Sequence, residues 1–143
     1  ELIRLCGEAP LPVFVYNAAF ERSRISELAE RFPENREALL AINARIVDLL
    51  PIARERYYHP SQQGSWSIKA VLPAVVPELN YRDLDGVQDG GMAMEAFLEA
   101  LHPQTTSERK NLIRDHLLAY CKLDTYAMVR LWQVFSNNAS LDL

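Results

Sequence analysis

Two short runs of β-branched and aromatic residues, each passing straight into a helical pattern, constrain the fold of this chain more than any other feature. Val13, Phe14, Val15 and Tyr16 read as a buried strand that breaks at Asn17 into a helix with Glu21 in its first turn. The stretch "ARIVDLL" supplies a second short strand ending at Asp48. Helical patterns over 18–32 and 34–43 lie between the two. Strands joined by a helical crossover pair in parallel, so the chain reads as α/β with an unusually high helical share. Two strands alone are marginal. The expectation is therefore that other strands precede Glu1 or that another chain supplies them, and an open sheet edge is also a route to dimerisation.

The rest of the chain is helical. A helix over 1–6 opens it, "LLPIARERYY" continues the second strand as a helix, and "HPSQQGS" (59–65) is rich in turn residues. A helix around "WSIKAVLPAVV" should end before Pro77. "RDLDGVQDGG" reads as loop, "MAMEAFLEAL" as helix, and a last helical stretch runs from about Glu108 to Phe135. The tail 136–143 is polar and reads as flexible. No repeat or low-complexity segment interrupts this order, so a single domain over 1–143 is expected.

Of the 143 residues 49% are hydrophobic, enough for a sizeable core. A net charge of −4 gives no global attraction to nucleic acid, so any such binding needs a local basic patch. Cys6 and Cys121 have no disulfide-type spacing and read as reduced thiols of a cytoplasmic protein. No apolar run suits a membrane span, and no leader is evident. The chain starts at Glu1 within a helical pattern (Leu2, Ile3, Leu5), which reads as the excised part of something longer.

The most informative segment is "IRDHLLAYCKLDTYAMVRLWQVF". Ile113, Leu117, Tyr120 with Cys121, Met128, Leu131 with Trp132, and Phe135 recur at helical steps and define one stripe expected to be buried. Asp124 lies on it. An unpaired buried carboxylate costs several kcal/mol, so this one must be protonated, hydrogen-bonded, paired or bound to a cation. Tyr120 sits one turn earlier on the same face. Alternatively the helix breaks near Lys122 and Asp124 caps a second helix. The strand ends carry further polar groups where open α/β sheets place ligands: Asn17 with Glu21 after the first, Asp48 after the second. Each also has a structural reading, Asn17 and Asp48 as N-caps and Glu21 as an acid favoured by a helix N-terminus.

"YNAAFE", "RIVDLLPIAR", "GSWSIKAVLP", "DGGMAMEAFLEAL" and "YCKLD", in that order, resemble the later motifs of the ribonuclease H-like 3′→5′ exonuclease superfamily. They are most similar to a bacterial domain-of-unknown-function family, number 2779, and to the domain attached to RecB-type nucleases. The resemblance implies a ribonuclease H-like fragment lacking the opening strands of its sheet. It matches Glu21 to the second acidic motif, Tyr120 to the tyrosine of the tyrosine-type branch and Asp124 to the last metal ligand, and it gives Asn17, Ser67 and Lys69 to substrate. His116 is a helix-surface residue in this comparison. Where the superfamily commonly has Asp the chain has Glu21, and the opening Asp-x-Glu motif is absent; Asp83 and Asp85 in "RDLDG" read as turn residues.

What the resemblance implies is a two-metal phosphodiesterase using Mg²⁺ or Mn²⁺, acting on single-stranded DNA or RNA, and inactive as this piece alone because half its ligands would lie upstream. Arg22, Arg24, Arg54, Arg56, Lys69 and Trp66 are candidates for a basic and stacking track. Two other classes remain open: an interaction or regulatory module that keeps the fold without catalysis, and a helical scaffold with no such site.

Overall fold

A computed structural model describes residues 1–7 and 9–136. Of the predicted tail at 136–143, residues 137–143 lie outside the described residues. The chain divides into two compact units, Glu1–Tyr58 and His59–Leu143.

The first unit is built in the predicted order: α1 (Leu2–Cys6), β1 (Val13–Val15), α2 (Ala18–Arg31), a 3-10 turn at Pro33–Asn35, α3 (Arg36–Ala44), β2 (Ile46–Asp48) and α4 (Leu49–Arg56). β1 and β2 pair in parallel with Val13 opposite Ile46 and Val15 opposite Asp48, so both carboxyl ends finish side by side. Among the described residues these two strands are the whole sheet. The fold is therefore helix-rich α/β with a small parallel sheet. Val15, Ala18, Ile25, Ala29, Leu39, Ile42 and Ile46 form its core, with Ile3, Cys6 and Val13 against them. The apolar faces of α2 and α3 meet there because their apolar residues recur at three- and four-residue steps. Arg45, at the end of α3, donates to the carbonyl oxygens of Gly7 (3.0 Å), Leu11 (3.0 Å) and Ala9, holding the segment between α1 and β1.

The second unit contains a 3-10 turn at Pro60–Gln62, α5 (Ile68–Val75), a 3-10 turn at Tyr81–Asp83, α6 (Gly90–Leu101) and α7 (Ser107–Phe135). Pro73 is tolerated in the last turns of α5, which ends before Pro77 as the sequence predicts. Asp89 and Thr106 cap α6 and α7 by accepting from the Met92 and Arg109 amides at 2.9 and 3.2 Å. Arg109 then forks onto Glu99 at 2.7 and 2.9 Å, tying the start of α7 to the end of α6. Val71, Leu72, Val76, Tyr81, Val87, Ile113, Ala127 and Leu131 are buried.

One alternative falls at this level. α7 is a single helix of 29 residues and does not break near Lys122, so Asp124 caps nothing. Of the predicted stripe Ile113 and Leu131 are buried, Leu117, Tyr120, Met128, Trp132 and Phe135 half-buried and Cys121 exposed, and Thr125 bonds back to the Cys121 carbonyl at 2.9 Å within the helix. Cys6 and Cys121 are both free thiols. Among the described residues no helix is long and apolar enough to cross a membrane.

Candidate functional site

The strand ends of the first unit are organised by Asp48. Its Oδ1 accepts the amides of Leu50 and Asn17, each at 2.9 Å, and its Oδ2 accepts the amide of Ala18 at 2.9 Å. One carboxylate thus caps α4, as the sequence predicts, and also the start of α2 across the strand pair. Asn17 occupies the N-cap position of α2 in the left-handed region (φ 72°), a conformation asparagine tolerates, but its side chain makes no cap bond. The capping reading of Asn17 therefore passes to Asp48. Glu21 follows in the first turn of α2, half-buried. Tyr16, immediately before Asn17, has its pKa pushed up to about 12 by burial, with the Asp48 charge acting the same way and Arg54 opposing.

Tyr120 and Asp124 meet on α7 in the second unit, joined by a residue the motifs did not indicate. Tyr81 is 2% exposed and donates its hydroxyl to Asp124 Oδ1 at 2.7 Å. Its ring lies 5.9 Å from that of Tyr120, tilted by 53°, within the usual range of a tilted aromatic pair. Burial, then the bond to Asp124 and its charge, hold the Tyr81 pKa well above the ordinary phenol value. Burial chiefly, with Asp124, Cys121 and Asp89 adding, raises that of Tyr120. Both phenols are neutral at neutral pH, so the Asp124 carboxylate on α7 accepts from the Tyr81 hydroxyl while Tyr120 stands one turn before it on the same helix. The signal for Tyr81 was weak: a lone tyrosine in "LNYRDLDG", where the turn residues predict loop.

Ser67 and Lys69 lie at the start of α5, on the wall of a polar cavity of about 500 Å³ that Tyr81 and Asp89 also line. The structure thus places Ser67 and Lys69 around the same cavity as the tyrosine that holds Asp124. Asn17 and Glu21 belong to the first unit. His116 is half-buried rather than on the surface, its ring against Gly86.

Among the described residues no three His, Cys, Asp or Glu side chains gather into a group able to hold a metal ion. A two-ion centre needs several carboxylates converging on each ion. These residues alone do not fit one.

The comparisons bear on the first half of the chain. Residues 1–67 match a family described as Domain of unknown function (DUF2779). The matched part contains both strands, Asn17, Glu21, Asp48 and Ser67. No curated protein and no solved structure matches the chain.

Proposed function

We propose that this chain is the later part of a ribonuclease H-like, metal-dependent 3′→5′ exonuclease domain that hydrolyses phosphodiesters of single-stranded DNA or RNA. Glu21 and Asp124 are the acids it contributes, with Tyr120 beside Asp124. The observation that carries the reading is the cluster of Tyr81, Tyr120 and Asp124. A half-buried carboxylate on a long helix is held by a buried tyrosine hydroxyl, and a phenol with a raised pKa stands one turn before it. The strand ends add support, because Asn17 and Glu21 follow β1 at the edge where parallel sheets place ligands. The reading requires further carboxylates from outside these residues, and it predicts no Mg²⁺- or Mn²⁺-dependent cleavage by the 143-residue chain alone.

A second reading, a non-catalytic interaction module, is favoured by one observation: Tyr81 already engages Asp124, and no metal-binding group assembles among the described residues. Digestion of end-labelled single-stranded DNA and RNA with Mn²⁺ by the longest natural protein containing these residues separates the two. Stepwise shortening from the 3′ end that stops on chelation supports the nuclease. A folded but inactive protein removes the nuclease reading and favours the interaction module.

A further inference from the structure

We propose that the polar cavity walled by residues 61–67, the start of α5 and the loop over 80–89 binds a phosphate of a nucleic-acid strand, with Lys69 and Arg82 as its counter-charges. This deepens the nuclease reading and rests on it for the choice of a strand over free phosphate.

The cavity, at about 500 Å³, is large enough for a sugar-phosphate unit. Its chemistry suits an oxyanion. Ser61, Ser65 and Ser67 bring hydroxyls, Lys69 an ammonium and Arg82 a guanidinium, and Asp89 is the one acid on the described wall. Asp89 caps α6 through the Met92 amide, which chiefly holds its pKa low, with the Lys69 charge acting the same way. The positive end of α6 offsets its charge. Both cations are exposed, and no ion pair among the described residues engages either. Arg4, Arg24, Arg109 and Arg130, by contrast, each face a carboxylate. Two cations of different shape among hydroxyl groups, neither held in a close ion pair although the Lys69 charge acts on Asp89 across the wall, match a tetrahedral, multiply charged anion better than a planar carboxylate.

The wall is built rather than incidental. Gln62 is 2% exposed; it accepts the His59 amide at 2.7 Å and donates to the Ser65 carbonyl at 3.3 Å, locking the turn that displays the serines. Ser65 and Ser67 are linked through their hydroxyls at 3.4 Å. On the opposite side the Arg82 backbone is held at both ends: its amide bonds Asn80 Oδ1 at 3.1 Å and its carbonyl accepts from Gln88 at 3.1 Å. Arg82 is exposed and lines the cavity. Tyr81 lines the same space while its hydroxyl holds Asp124, so a strand phosphate here would lie next to the proposed reacting residues.

The test is binding by the 143-residue chain, read as fluorescence anisotropy of a labelled oligothymidylate of about twelve nucleotides in EDTA, so that neither metal nor cleavage enters. Lys69→Gln and Arg82→Gln are each expected to weaken binding roughly tenfold. Each should also reduce the slope of log affinity against log salt by about 0.7. Lys69→Arg should bind nearly as the wild type, and so should Arg4→Gln. Circular dichroism checks that these surface variants fold. Absence of binding by the wild type, or unchanged binding by both glutamine variants, overturns the proposal. So does a site where inorganic phosphate binds in a Lys69- and Arg82-dependent way while the oligonucleotide does not. Binding that depends on both residues, beside a full-length protein that never cleaves, keeps the phosphate site and removes the nuclease. Cleavage without such binding does the reverse.

Discussion

Asp48 is the residue on which the first unit turns. Its two oxygens satisfy three amides that begin two helices on neighbouring strands, so one substitution uncaps both. Asp48→Ala should lower stability in urea unfolding by about 3 kcal/mol, and Asp48→Asn, which keeps one acceptor oxygen, by about half of that. The capping of α4 was legible because Asp48 stands directly before the helix. The bonds to Asn17 and Ala18 were not, because nothing local announces an acceptor 30 residues away. The same holds for Asp124. Its stripe position requires a partner, but burial physics names no donor, and Tyr81 lies 43 residues earlier. Tyr81→Phe should cost about 1–3 kcal/mol in urea unfolding, since it leaves a half-buried carboxylate short of a donor. The three raised phenols, Tyr16, Tyr81 and Tyr120, also set a pH response. A phenol whose pKa is higher in the folded state stabilises fully below its unfolded value of about 10, and that contribution is lost as pH rises through the folded value. Stability should therefore decline above pH 10, and Tyr16→Phe should flatten the part of the decline that lies below the Tyr16 value of about 12.

At the scale of elements, the helices follow the predicted order, and their ends fall within a few residues of the spans expected from periodicity. Periodicity is a local property, so it survives without tertiary knowledge. The continuity of α7 was not local. A polar run, "CKLDT", offered a plausible cap, and packing along the stripe overrode it. The loop before α6 carries a second device of this kind. Gly86 sits at φ 75°, and a Cβ there would approach His116 Nδ1 to 2.1 Å. Gly86→Ala should destabilise by about 2–3 kcal/mol in thermal or urea unfolding. Adding His116→Ala should recover the steric part and leave about 1 kcal/mol of backbone strain.

For the whole molecule, the sequence shows no Gly- or Ser-rich linker, and a single domain is its plain reading. The structure separates two compact units at Tyr58. Residues 1–67 match the family of unknown function, while the Tyr120 and Asp124 motif lies beyond the matched part. The site was legible as a set of residue types and illegible as an assembly. Glu21 and Asp124 could be singled out by position on strand end and stripe, whereas the cavity around Ser67, Lys69 and Arg82 needed the fold. The role of Asp124, in chemistry or only in structure, decides between the readings. The direct measurement is Mn²⁺-dependent digestion of end-labelled single-stranded DNA and RNA by the full-length natural protein and its Asp124→Asn variant, each with its melting temperature. Asn keeps an oxygen to accept the Tyr81 hydroxyl, so digestion should fall by roughly a hundredfold or more, about 3 kcal/mol of barrier, with a melting temperature close to wild type. Digestion at the wild-type rate by a folded Asp124→Asn protein would contradict the role in chemistry.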